Sequence, residues 1–223
     1  MRRAPLLLTL WLCACGTETP PELKIRSLLP MEQTTADWQT LTLELEEDPP
    51  LLLDYGRNTA ELGELPTLEI GPRTVALTRY LGRGRYEAVM EPGMEIGLYD
   101  IRVRTADGRE AGLSQRYRVK PAINGYWIET IQDQLQDAPF TITIHVDGPD
   151  ALVFDGSVTV SINKGQLIAP GNTRTSSFRT GPFSEGVRQE VVTIDTPANN
   201  LLIRVVDDEG ESTSSNEFRV APR

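Results

Sequence analysis

Apolar residues recur at every second position along much of this chain. Leu41, Leu43 and Leu45 alternate with Thr40, Thr42, Glu44 and Glu46. Tyr99, Ile101 and Val103 alternate with Asp100, Arg102 and Arg104. Ile142, Ile144 and Val146 alternate with Thr141, Thr143 and His145, and Val158, Val160 and Ile162 with Ser157, Thr159 and Ser161. A period of two places one set of side chains on a dry face and the other on a wet face, the signature of half-buried strands. Acidic-Gly turn signals separate these runs, at Asp107-Gly108, Asp147-Gly148-Pro149, Asp155-Gly156 and Glu209-Gly210. No stretch has the 3.6 period of an amphipathic helix. Short strands with one wet face predict an all-β fold of antiparallel sandwiches.

The pattern also repeats. Thr40-Leu-Thr-Leu-Glu-Leu-Glu46 matches Thr141-Ile-Thr-Ile-His-Val-Asp147, Ile101-Arg-Val103 matches Ile203-Arg-Val205, and Tyr117-Arg-Val-Lys-Pro121 matches Phe218-Arg-Val-Ala-Pro222. The offset stays at about 101 to 102 residues, which predicts two units of ordinary domain size. Their expected bounds are 23–121 and 122–223, meeting near Pro121 and Ala122. Of the 223 residues 39% are hydrophobic and 24% charged, as in folded soluble proteins.

The first residues follow a different logic. Met1-Arg2-Arg3 is positive, and positions 4–12 are apolar apart from Thr9. That run is too short to span a bilayer, which needs roughly 20 residues, but fits the core of a secretory leader. Leu12-Cys13-Ala14-Cys15-Gly16 follows, with the chain's two cysteines. This resembles the lipobox of bacterial lipoproteins. The resemblance implies a signal peptide over 1–14, diacylglycerol on the sulfur of Cys15, and a lipidated tether over 15–22. Gly16 in place of Asp implies, by the same resemblance, the outer membrane of a Gram-negative bacterium. An ordinary secretory leader cut near Ala14 or Cys15 is the alternative reading. Either way the mature fold has no disulfide and relies on its cores.

Each unit closes with a strand, an acidic-Gly turn and a strand ending in aromatic-Arg-Val-x-Pro. This resembles the last hairpin of bacterial Ig-like domains. The first unit, with Ile25-Arg-Ser-Leu-Leu-Pro30 and Leu53-Asp-Tyr-Gly56, is somewhat similar to IPT/TIG domains. The second, with Phe140-Thr-Ile-Thr-Ile144 and Phe154-Asp-Gly-Ser-Val-Thr-Val160, resembles the Ig-like repeats of bacterial surface proteins. The resemblance implies two tandem immunoglobulin-like β-sandwich domains acting as spacers, adhesins or interaction modules.

Charge and candidate chemistry narrow this further. The formal net charge is −10, with 32 acids against 22 bases. Such a body repels phosphate, so nucleic acid is not an expected partner, and anionic headgroups are no better. The single histidine, His145, is expected on the outward face of its strand, without a nucleophile beside it. One histidine and no unlipidated thiol cannot build the usual zinc site. Carboxylates cluster instead. In an Ig-like layout the loops at one end bring Glu46, Glu47 and Asp48 to Asp107 in the first unit. In the second they bring Asp147 and Asp150 to Asp207, Asp208 and Glu209, facing the joint between the units. Calcium takes six to eight oxygens, so Asp147, Asp150, Asp207 and Asp208 are candidate ligands; acidic residues are also simply good turn formers. The polar run 171–177, with 132–137, is expected as a loop surface at the opposite end, and Trp38 and Trp127 as covers of core edges.

The expectation is therefore a non-catalytic, lipid-anchored envelope protein without cofactor. It would be held to the membrane through Cys15 and bind another envelope protein or a surface glycan, in an envelope, adhesion, secretion or motility complex. The alternatives are a calcium-dependent adhesin and a small carbohydrate-acting hydrolase, the latter needing a cleft around a carboxylate pair.

Overall fold

The computed structural model describes residues 22–223. The leader, the lipobox with Cys15, and the tether as far as residue 21 lie outside the described residues. From Leu23 onward the chain is all-β and folds as two tandem Ig-like sandwiches, with one short 3-10 turn at Ala151–Val153. Among the described residues no helix is long and apolar enough to cross a membrane.

The first sandwich contains β1 (Ile25–Leu29), β2 (Glu32–Thr34), β3 (Gln39–Leu45), β4 (Leu51–Asp54), β5 (Thr59–Leu62), β6 (Thr67–Ile70), β7 (Arg73–Val75), β8 (Leu77–Gly82), β9 (Arg85–Met90), β10 (Gly97–Arg104) and β11 (Glu110–Lys120). One sheet has the order β1-β3-β9-β8 and the other β2-β11-β10-β6-β7. The alternation read from the sequence decides which atoms meet between them. Leu41, Leu43 and Leu45 of β3 and Tyr86, Ala88 and Met90 of β9 are buried against Leu68, Ile70, Ile101, Val103, Tyr117 and Val119 of the facing sheet. After β1 the chain changes sheets, and β2 pairs in parallel with the end of β11, Glu32 opposite Arg118 and Thr34 opposite Lys120. The ribbon of β4 and β5 belongs to neither sheet.

The second sandwich repeats this plan. Its strands are β12 (Gly125–Ile128), β13 (Gln134–Leu135), β14 (Phe140–Asp147), β15 (Thr159–Ile162), β16 (Leu167–Ala169), β17 (Thr173–Thr175), β18 (Ser177–Arg179), β19 (Val187–Ile194), β20 (Ala198–Leu201), β21 (Ile203–Val206), β22 (Ser212–Ser214) and β23 (Phe218–Ala221). One layer has the order β12-β14-β19-β16-β17. The facing layer is split into β13-β23-β20 and β18-β15-β21-β22. At the split, the Asn216 side chain accepts from the Ile131 amide and donates to its carbonyl, each at 2.8 Å. Here too a short strand, β13, pairs in parallel with the last, β23. The repeated segments hold equivalent places: β3 with β14, β10 with β21, and the end of β11 with β23. Each sandwich has its own core, and no buried residue is common to both.

Two expectations are corrected. The run 171–177 is not a loop. Gly171 and Asn172 take positive φ (86° and 62°) and turn β16 back into β17, while Ser177 opens β18. Pro170 and Gly171 are the central residues of a turn closed by the Asn172 amide on the Ala169 carbonyl at 3.1 Å. Positive φ suits glycine at the second of them and is tolerated by the asparagine that follows, and the flanking threonines are good strand formers. Nor do the two tryptophans cover core edges. Trp38 is exposed on a loop, and Trp127 lies on the wet face of β12, stacked on His145 with ring centroids 3.8 Å apart.

Candidate functional site

The joint between the sandwiches brings together the carboxylates singled out in the sequence. β11 ends at Lys120 and β12 begins at Gly125, so only four residues separate strands of different domains. The second domain meets this joint with the loop after β14 and the loop between β21 and β22. Around it lies a groove of about 660 Å³, lined by Arg118, Lys120, Tyr126, Phe154, Arg179 and Asp207 among others.

Most of these carboxylates already hold protein groups. Asp150 accepts from the Thr35 hydroxyl across the joint and from the Ala122 amide at 2.9 Å. Asp207 accepts from the Tyr126 hydroxyl at 3.0 Å through one oxygen, and from the Glu209 and Glu211 amides, both at 2.9 Å, through the other. Asp208 receives both terminal nitrogens of Arg179 at 2.6 Å. The Arg179 guanidinium holds the Asp208 carboxyl below the usual carboxylate range. Asp147 accepts from the Asn124 amide with its backbone carbonyl, closing the same corner. The four candidate calcium ligands therefore share one end of the domain but serve different neighbours. Among the described residues no three His, Cys, Asp or Glu side chains converge as a metal-binding group.

Lys120 was not singled out by the sequence, yet it ties the joint. Its ammonium lies 3.0 Å from Glu32 of the first domain and 2.5 Å from Glu209 of the second, with only 16% of its side chain exposed. Burial works against its charge, but the two carboxylates outweigh that and raise its pKa. Burial, reinforced by Asp207, pushes the Tyr126 hydroxyl far up, so it stays a hydrogen-bond donor throughout the physiological range.

The equivalent end of the first domain is built alike. Glu47 and Asp107 both pair with Arg109, at 2.7 and 2.8 Å, and Lys24 lies 3.9 Å from Glu46. Asp48 accepts from the Tyr80 hydroxyl at 2.6 Å and the Gly84 amide at 2.5 Å. The Thr105 hydroxyl, with help from Arg109, lowers the Asp107 carboxyl. Beside these pairs lies a cavity of about 400 Å³ with a largely apolar wall, including Leu23, Leu45, Pro49, Pro50, Pro66 and Tyr86.

His145 lies where the sequence places it, on the outward face of β14. Its Nε2 is 2.8 Å from the Glu129 carboxylate, with Trp127 stacked on the ring. These contacts, a carboxylate and an indole ring, are those of a packed surface histidine.

No family model matches the chain, and no curated protein does. Among solved structures, it is similar to the Escherichia coli adhesin FdeC at 15% identity, covering 89% of this chain and 64% of that one, with a TM-score of 0.46. The Yersinia pseudotuberculosis adhesin InvE aligns at 15% identity over 88% of this chain and 58% of that one, with a TM-score of 0.37. Domains 4 and 5 of the S-layer protein SbsC align at 12% identity over 82% of each chain, with a TM-score of 0.35. All three scores lie below 0.5, and the architecture is defined by the strand pairing itself.

Proposed function

We propose that this is a non-catalytic envelope protein whose two Ig-like domains act as a binding module or spacer, held by a lipid on Cys15 to the outer membrane of a Gram-negative bacterium. The observation that carries the non-catalytic part is the state of its ionisable groups. Most of the carboxylates gathered at the domain ends are taken up by Arg109, Arg179, Lys120, hydroxyls and backbone amides, and His145 is held by Glu129 and Trp127. General acid–base work needs such groups poised toward an open cleft. A joint closed by Lys120 and Asp150 instead suits a protein that presents loops at a fixed distance from its anchor. The anchor rests on the order Leu12-Cys13-Ala14-Cys15 behind a short apolar run. Two or more acyl chains hold a protein stably where one does not.

The partner is another envelope protein or a surface glycan. Cross-linking in intact cells followed by mass spectrometry should recover one recurrent neighbour, lost when exposed loop residues of the second domain are replaced. For the anchor, the amino-terminal peptide of protein extracted from its own membranes should begin at Cys15 and carry the added mass of a diacylglyceryl group. An unmodified terminus would overturn lipidation.

A further inference from the structure

The ribbon of β4 and β5 has an apolar face that nothing among the described residues covers. Among the described strands it is the one pair in which every position is exposed. Its register sets Leu51 opposite Leu62 and Leu53 opposite Ala60, so these four side chains share one face. Leu52, Asp54, Thr59 and Glu61 share the other. Leu51 is 61% exposed, Leu53 55% and Leu62 46%, while Tyr55 at the turn is 88% exposed. No residue of 51–62 joins either core. A lone two-stranded ribbon is marginal in water and needs a surface to pack on.

Its place in the fold indicates that surface. The ribbon leaves the loop after β3, and the Gly63 amide closes its base on the Pro50 carbonyl at 2.7 Å. Pro50 shares a cavity with Leu23, where the described chain enters the domain, and Ile25 of β1 pairs with Leu45 at the end of β3. The ribbon and the amino end therefore emerge at the same pole. Cys15 is seven residues from Glu22, a reach of at most about 25 Å when fully extended. We propose that the ribbon is a second foot. It lays Leu51, Leu53, Ala60 and Leu62 into the headgroup–acyl boundary of the bilayer that holds Cys15. This rests on the anchor proposed above.

Charge selects the kind of lipid. The opposite face carries Asp54 and Glu61, Arg57 lies 3.8 Å from Asp54, and the whole chain is at −10. Zwitterionic headgroups suit that balance better than anionic ones. Four side chains also fall well short of the ~800 Å² per partner of a stable protein interface, which argues for lipid over a second copy.

The test uses the full chain, purified from its membranes and reconstituted into phosphatidylcholine vesicles. In Tyr55→Trp, the fluorescence in excess of the parent protein should fall at least twofold when the lipid is replaced by its bromine-labelled form. Adding Leu51→Asp and Leu53→Asp should abolish that quenching and leave the melting midpoint unchanged. Unquenched emission from a chain whose Cys15 is acylated would overturn the foot and leave the anchor standing. Quenching in a chain with a bare terminus would keep the foot and overturn the anchor. A dimer in lipid-free solution that the two aspartates dissociate would assign the face to a second copy and overturn the proposal.

Discussion

At the scale of single residues, buried polar pairs and the joint ion pairs make the clearest predictions. Tyr117 is fully buried, and its hydroxyl donates to Gln33 Oε1 at 3.1 Å, while Gln33 Nε2 is buried without a partner among the described residues. Burial pushes the Tyr117 hydroxyl up to about 12, so it remains a donor at any ordinary pH. Tyr117→Phe should cost about 1–2 kcal/mol in urea denaturation, because it strands a buried acceptor. Combined with Gln33→Leu it should cost less than the two single changes added. Lys120→Met should lower stability by about 1 kcal/mol, a modest loss because both partner carboxylates are largely exposed. The sign of the pH effect follows from its raised pKa. The ion pairs contribute fully below the unfolded value of 10.5 and fade as pH rises through the higher folded value. The gap in melting midpoint between wild type and Lys120→Met should therefore hold from pH 7 to 10 and close above that. Acidic ends were legible in the sequence because Asp and Glu cluster beside turn glycines. Their partners were not, since Arg179 lies 29 positions from Asp208 and Arg109 lies 62 from Glu47.

At the scale of elements, the period-two runs became strands with the expected faces inward, because burying alternate Leu, Ile and Val outweighs any other use of those segments. Where alternation is missing, the sequence does not announce the element. Leu51-Leu52-Leu53 has no period and did not announce a ribbon, although the Pro49-Pro50 before it and the Asp54-Tyr-Gly after it mark its two ends. The run 171–177 looked like a loop from its polarity, but edge strands need no apolar face. Glycine settles the corner between the loop after β14 and the joint. Gly148 has φ of 134°, and a Cβ there would lie 2.6 Å from Ile123 Cα, a backbone atom that cannot move aside. Gly148→Ala should cost about 1–3 kcal/mol, read from thermal or urea unfolding of the second domain. The first domain's transition should shift far less, since its core shares no buried residue with the second.

At the scale of the molecule, the repeat of about 101 residues in the sequence corresponds to two sandwiches of one plan. What the repeat did not reveal is how they are joined, because Thr35, Lys120, Asp150 and Glu209 meet only once the fold is built. Removing both ties with Lys120→Met and Asp150→Ala should broaden the distance distribution in small-angle X-ray scattering. Millimolar calcium should leave both that distribution and the melting midpoint of the wild type unchanged, since three of the four candidate carboxylates already hold protein partners.

The parallel pairing of β2 with β11, and of β13 with β23, has a mechanical consequence. In each domain the chain leaves along β11 or β23, and the strand paired with it in parallel, β2 or β13, follows directly after the entry strand β1 or β12. A pull that stretches the molecule end to end drags the two past each other lengthwise. Their hydrogen bonds then share the force in shear and must break together, whereas a ribbon opened from one end unzips bond by bond. A tether subject to flow or traction outside a cell would gain its resistance from these two short ladders, and a proline placed in β2 or β13 would be its weakest link.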